Sequence, residues 1–200
     1  MRESLKPFHD LPDSYIVLDT ETTGLPDEKG QPGIVTLGLT RVIDRKIHES
    51  VEFKLKPYRP INAEAERVHH ISNEEAIKFP SFEKEWPNIK QWLDGQVVVI
   101  HNKGFDWPIV EFHVAHYHCS PPSPIQLFCS QKAAIPFAAE EGIPMSSRGP
   151  SLDDLTAYLK IDPLRKGGIH GAKIDSMQTA LVVEGLRKIA NSSQSPALKS

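Results

Sequence analysis

Cysteine is scarce: the 200 residues include two, Cys119 and Cys129. Their separation fits no metal-ligand or redox spacing, and a reducing cytoplasm is the simple reading. Long apolar runs are absent as well. No stretch of about 18 apolar residues occurs, so no membrane span is expected. Residues 1–13 are polar, carry Pro7 and Pro12, and contain no apolar signal region. An excess of basic charge is also missing, with 23 Lys and Arg against 26 Asp and Glu and a net charge of −3. Tight binding to long duplex nucleic acid usually shows a basic face, so a large non-specific footprint is disfavoured. An enzyme gripping only a few terminal nucleotides is not, because a small positive rim and metal ions suffice. No internal repeat and no low-complexity tract is visible. What remains is ordinary for a globular protein: 39% hydrophobic and 24% charged residues, enough chain to bury a core without staples. The expected organisation is an N-terminal extension over 1–14, one domain over 15–190 and a disordered tail over 191–200.

Apolar periodicity sets the elements. Tyr15 to Thr20 (YIVLDT) is a β-rich run closed by a Thr-Thr-Gly turn. Gly33 to Thr40 and Lys46 to Lys56 are two more expected strands, with residues 41–45 as a hairpin connection and Pro57 to Ile61 as a loop. Ser72-Asn-Glu-Glu75 has the form of a capping box. Phe82, Trp86, Ile89 and Leu93 recur at helical spacing, so Ser81 to Leu93 is expected to be an amphipathic helix, bent or begun at Pro87. Val97 to Ile100 is wholly apolar, the pattern of a central strand; a helix follows from about Phe105, and Ile125 to Phe128 is a weaker strand. Residues 140–150, rich in Gly, Pro and Ser, read as a mobile loop. Ser151-Leu-Asp-Asp154 is a second capping box opening a helix through Leu159, and a last helix runs from about Ala172 to Ala190. Three early strands followed by alternating helices and strands imply an α/β layer fold with a mixed sheet flanked by helices.

The acids carry the chemistry. Asp19 and Glu21 stand two apart at the end of the first strand, and residues two apart on a strand point the same way. Two carboxylates held together repel unless a cation sits between them; a solvated pair at a strand end is the plain alternative. Asp106 follows a second apolar strand in VVVIHNKGFD, where a helix begins. Without a role it is an acid favoured by a helix dipole. His170 and Asp175 lie in HGAKID. Five positions on a helix differ by roughly 140° of rotation, so the two cannot share a helix face. Gly167, Gly168 and Gly171 place His170 on a flexible loop and Asp175 on the helix that follows. Left alone, His170 is a surface loop histidine and Asp175 an ordinary first-turn acid.

Taken together, these segments resemble the DnaQ-like DEDDh 3′–5′ exonucleases. DTETTGL, HNKGFD and HGAKID match that family's three motifs in order, and Tyr15 to Ala190 can be laid on it. RVHHIS and SLDDLTAYLKID are similar to two further family segments. Within the family the chain is most similar to epsilon proofreading subunits of bacterial DNA polymerase III, on HGAKIDSMQTALVVEGL and DTETTGL. The resemblance implies an RNase H-like fold and hydrolysis of nucleic-acid 3′ ends, single-stranded DNA before RNA, to nucleoside 5′-monophosphates. Carried onto this sequence, Asp19, Glu21, Asp106 and Asp175 would hold two Mg²⁺ or Mn²⁺ ions, and His170 would be the general base. Thr22, Gly24, Leu25, Glu64 and His69 would face the terminal nucleotide, with Asn102 and Phe105 shaping its pocket. The implied partners are nucleic-acid 3′ ends and a DNA polymerase or other DNA-processing complex. Two departures stand out: His70 replaces the family's usual Gly, and Phe128-Cys129 stands where a DT pair often follows the fifth strand.

Other signals are weaker. His113, His116 and Cys119 lie at i, i+3 and i+6, but a zinc site needs about four ligands and no fourth is visible. Gln126-Leu127-Phe128 faintly resembles a sliding-clamp peptide, with a buried strand the stronger reading. Arg165-Lys166 stands beside His170 and is either a phosphate contact or a solvated loop. Two alternative functions stay open: an RNA-directed exonuclease, and a catalytically silent module that binds nucleic-acid ends.

Overall fold

The computed structural model describes residues 2–28, 30–165 and 167–192. Its centre is a five-stranded sheet in the order β3-β2-β1-β4-β5. The strands are β1 Tyr15–Thr22, β2 Ile34–Ile43, β3 Lys46–Lys54, β4 Val97–Ile100 and β5 Gln126–Cys129. β1, β2 and β3 pair antiparallel, whereas β4 and β5 run parallel to β1, giving the expected mixed sheet. The helices are α1 Lys6–His9, α2 Ala63–His69, α3 Asn73–Ala76, α4 Phe82–Leu93, α5 Lys103–His116, α6 Ser130–Ala133, α7 Ile135–Glu141, α8 Leu152–Tyr158 and α9 Ala172–Ser192. Among the described residues no helix is long and apolar enough to cross a membrane.

Strand alternation sorts the core into two layers. Tyr15 and Val17 of β1 and Val99 of β4 pack with Val182, Val183 and Leu186 of α9. Ile16, Leu18, Val98 and Ile100 point the other way, onto Phe82, Trp86, Ile89 and Leu93 of α4 and Ile109 and Val110 of α5. The 3.6-residue spacing read from Phe82 to Leu93 is therefore the buried face of α4, which runs unbroken through Pro87.

Several boundaries differ from expectation. β2 runs on to Ile43, leaving a two-residue turn at Asp44 and Arg45, both at positive φ (49° and 63°). That is the twist-compatible hairpin turn, so fewer residues are needed than the loop over 41–45. The Ser72 cap opens only the one-turn α3, whereas the Ser151 capping box is complete, with both reciprocal bonds formed. Helix α2, capped by the Asn62 side chain on Ala65 N–H (2.8 Å), and helices α6 and α7 stand where no helix was expected. Glu140 and Glu141, expected in a loop, close α7. α9 continues to Ser192, two residues into the expected tail, and residues 193–200 lie outside the described set.

The N-terminal extension is built into the core. Leu5, Phe8 and Leu11 are buried against α9 and β5, and the Phe8 ring meets Phe128 edge-on at 5.5 Å between centroids.

Candidate active site

β1 delivers Asp19 and Glu21 on the face that its Tyr15 and Val17 present to α9. Opposite them on β2 stand Gly38, the partner of Asp19, and Thr36, the partner of Glu21. The register then slips between Glu21 and Thr22, a bulge at the strand end of the kind that re-aims side chains next to sites. Small residues on this stretch of β2 let α9 lie close. A Cβ on Gly38 would fall 2.1 Å from the Ala172 carbonyl oxygen, and Thr40 Oγ1 meets Ser176 Oγ at 2.8 Å. The first turn of α9 thus carries Asp175, whose N–H donates to Gly171 O (2.9 Å), over the acids of β1.

The third strand-end acid comes from α5. Asp106, 3% exposed in its first turn, accepts from both Thr20 N–H (3.0 Å) and Thr20 Oγ1 (2.7 Å) on one oxygen. His170 lies on the loop before α9, its backbone N–H donating to Val68 O of α2 (3.0 Å). Its Nδ1 stands 3.4 Å from Asp175 Oδ2.

The charge balance of this cluster is uneven. Burial, then the charges of Asp106, Asp175 and Glu21, push the Asp19 carboxyl well above the carboxylate range. Burial and Asp175 raise Glu21 to about 8, with His170 and Arg165 offsetting part of the rise. Burial raises Asp106 to about 7 against the two Thr20 hydrogen bonds. For Asp175 burial acts upward too, but the hydrogen bonds from His170 and Arg165 outweigh it and its carboxyl sits below its ordinary value. The His170 imidazole is raised by its hydrogen bond to Asp175. Buried carboxylates that cannot all ionise together call for further positive charge. Glu21, His170 and Asp175 can each turn one ligand atom to within 4.8 Å of the others. An oxygen-dominated donor set of this kind suits a hard divalent cation.

Beside Glu21 opens a cavity of about 310 Å³. Thr22, Gly24, Leu25, Glu64, His69 and Phe105 line it, six of the seven residues expected around a terminal nucleotide. Leu25 is 72% exposed at its rim, an apolar surface ready for a flat partner. His69 is buried, accepts from Ile71 N–H at Nδ1 (3.1 Å), and burial pushes its imidazole below its ordinary value. Asn102 is the exception. Its backbone is left-handed (φ 64°), and it lines a separate cavity with Gln131, Met145, Arg148 and Asp154.

Sequence reasoning missed three participants and gave a fourth, Arg165, a different role. Thr20 orients Asp106; Asn62 caps the helix that walls the cavity; Gly38 makes room for α9; and Arg165 donates to both oxygens of Asp175. Asn62 alone had a local signal, a cap residue before AEAERV. Arg165 was read as a phosphate contact or a solvated residue, and in the structure it is an ion-pair partner inside the site; Lys166 lies outside the described residues. The histidine stripe of α5 holds no zinc set. His113 is buried with Nε2 accepting from Ile34 N–H (3.1 Å) and Nδ1 bonded to Ile109 O (2.8 Å), so both ring nitrogens are used.

The exonuclease family model (RNase_T) matches residues 16–183. The chain belongs to the exonuclease family. It is similar to the epsilon subunit of DNA polymerase III from Escherichia coli K12, 29% identical over 172 residues, spanning 84% of this chain and 68% of that protein. The Haemophilus influenzae epsilon subunit is 30% identical over 173 residues, 82% of this chain and 64% of that one. Among solved structures, exonuclease X in complex with 5′ overhanging duplex DNA superposes with a TM-score of 0.63 at 26% identity, over 91% of this chain and 94% of that one. The nuclease domain of 3′hExo, a DEDDh family member, superposes at 0.70 with 13% identity and shows the shared fold. The enzyme is thus a 3′–5′ exonuclease on an RNase H-like sheet.

Proposed function

We infer that this exonuclease removes nucleotides from the 3′ ends of single-stranded DNA, releasing nucleoside 5′-monophosphates. The observation that carries this reading is the convergence of Asp19, Glu21, Asp106 and Asp175, on three separate elements, around His170 and beside the Leu25 cavity. The donor set and the raised carboxyls fit Mg²⁺ or Mn²⁺, and these four acids would hold two ions. When bound, the ions acidify the attacking water and offset the charge that builds on the phosphoryl oxygens. His170 is the general base. Its Nδ1 faces Asp175, which fixes the tautomer and leaves Nε2 to take the proton from water. Thr22, Gly24, Leu25, Glu64, His69 and Phe105 seat the terminal nucleotide, with Leu25 packing on its base. Asn102 acts only from the neighbouring cavity.

The similarity to exonuclease X and to the epsilon subunits supports DNA as the polymer. Similarity to the latter makes a DNA polymerase or another DNA-processing complex the partner class in this reading. The test is degradation of a 5′-labelled single-stranded DNA oligonucleotide, and of its RNA counterpart, with Mg²⁺, Mn²⁺ or EDTA. The expected result is a ladder shortening from the 3′ end on DNA, abolished by EDTA and slowed by roughly 10²–10⁴ in His170→Ala. A ladder on RNA alone would move the substrate to RNA. No ladder on either polymer, with single strands still bound, would leave an end-binding module.

A further inference from the structure

Arg165 donates to both oxygens of Asp175, the atoms a cation on Asp175 would share with it. Its Nε donates to Asp175 Oδ1 (2.6 Å) and its Nη2 to Asp175 Oδ2 (2.9 Å), a bidentate pair with Asp175 only 4% exposed. Its third nitrogen, Nη1, donates to both oxygens of Asp153, at 2.8 and 3.0 Å. The backbone of Asp153 is set by the first turn of α8, behind the complete capping box at Ser151, and its side chain is 72% exposed beyond the Arg165 contact. The loop is pinned on its other side, where Leu164 N–H donates to Gln178 Oε1 (2.8 Å), one turn along α9 from Asp175. The guanidinium is a planar, permanently charged fork matched to a carboxylate. Held this way, it is not a solvated loop residue.

We propose that Arg165 is a built-in counter-cation that competes with the divalent metal for Asp175, held ready by Asp153 and Gln178. The proposal rests on the reading that the four acids bind metal. Without metal, Arg165 holds the Asp175 carboxylate aimed across the site at Glu21 and His170. A metal held by the Asp175 oxygens would displace the fork, and the Asp153 bonds would retain Arg165 at the edge of the site. Arg165 is a positioning residue, acting through Asp175, and it sets how much metal the site demands.

The test is Mn²⁺ binding to the full chain by titration calorimetry, for wild type, Arg165→Met, Arg165→Lys and Asp153→Asn. Thermal unfolding is measured alongside, in EDTA and in saturating Mn²⁺. With the competitor removed, Arg165→Met is expected to bind Mn²⁺ at least about fivefold more tightly, with Arg165→Lys in between. In EDTA its unfolding temperature falls, and Mn²⁺ restores it. Asp153→Asn, which frees Arg165 without removing it, shifts affinity in the same direction by less. Unchanged or weaker Mn²⁺ binding in Arg165→Met overturns the proposal, because a merely structural arginine would leave the site looser. Should Arg165→Met not fold, Asp153→Asn decides: tighter binding supports the proposal and unchanged binding defeats it. Failure of the wild type to bind Mn²⁺ at all would instead defeat the metal reading beneath it.

Discussion

Gly38 of β2 lies against the Ala172 carbonyl at the start of α9, so closely that a Cβ would sit 2.1 Å from that oxygen and 2.4 Å from Lys173 N. Both obstructing atoms are backbone, so neither can rotate away. Gly38 is also the register partner of Asp19. The missing side chain therefore lets the helix bearing Asp175 settle on the strand pair that bears Asp19 and Glu21. Gly38→Ala is expected to lift the first turn of α9. The stability cost is about 1–3 kcal/mol, as for other overpacked sites. Activity on single-stranded DNA should fall on the order of 100-fold, since shifts near 1 Å in a catalytic constellation cost that much. Urea unfolding and kcat/KM measure the two effects separately. Activity within twofold of wild type would show that the Gly38 contact does not set where the first turn of α9 places Asp175.

Phe8→Ala probes a different part of the molecule. Phe8 is fully buried against Phe128, and Arg187 of α9 donates to the carbonyls of Leu11 and Pro12, both at 2.9 Å. The segment is part of the same core as α9. The substitution should cost about 3–5 kcal/mol, read from the urea midpoint. Turnover at low temperature should hold, because Phe8 packs on Phe128 and the apolar layer under α9 rather than on the acids. A loss below about 1 kcal/mol would mean that the segment is dispensable to the core.

The acids were legible in the sequence because each lies in a short, regular context. Alternation on β1 puts Asp19 and Glu21 on one face, and Asp106 and Asp175 each fall in the first turn of a helix after a readable boundary. The mixed sheet followed from the same periodicities, whereas the strand order β3-β2-β1-β4-β5 depends on pairings distant in sequence that no local pattern shows. What stayed hidden depends on contacts distant in sequence or on elements too short to show a stripe. Helix α2 buries only His69, so seven residues offered no apolar period to find. α6 and α7 are four and seven residues long and meet next to Pro136, which breaks the pattern. Leu5, Phe8 and Leu11 do recur every three residues, a signal that polar neighbours and two prolines masked. The Arg165 clamp reaches Asp175 ten residues on and Asp153 twelve residues back, and only the folded loop reveals it.

His70 stands where relatives in the resembled family usually carry Gly, and the backbone keeps the glycine conformation. It closes α2 in the left-handed region (φ 58°), with its N–H on Glu66 O at 2.8 Å. A side chain there costs roughly 1–2 kcal/mol. His70→Gly is therefore expected to stabilise the protein by about 1 kcal/mol, raising Tm by about 2–4 °C for a chain of this size. His70→Val, β-branched, should lower it. A calorimetric Tm that falls in His70→Gly would point to a contact of the imidazole outweighing the backbone strain.

The charge imbalance of the site gives metal-free protein a distinctive pH response. Folding raises Glu21 to about 8 and Asp106 to about 7, in both cases by burial first, and raises His170 through its hydrogen bond to Asp175. Unfolded carboxyls ionise near pH 4 and unfolded histidine near 6.5. Between about pH 6.5 and 8 the folded chain therefore holds more protons at these groups than the unfolded chain. Stability must fall as pH rises through that window. Asp175, whose carboxyl sits below its ordinary value, is ionised in both states there and adds no slope. His101 and His113, lowered to about 4 by burial, oppose the trend mainly below pH 6.5, where the unfolded imidazoles take up protons. Urea midpoints in EDTA should thus decline from pH 6.5 to 8. Saturating Mn²⁺ should flatten or reverse the decline, because a bound cation holds the same carboxyls ionised. A midpoint that climbs with pH in EDTA would mean that the acids are already ionised in the folded chain, their charge balanced by groups such as Arg165 and His170, and would remove the electrostatic case for a cation at this site.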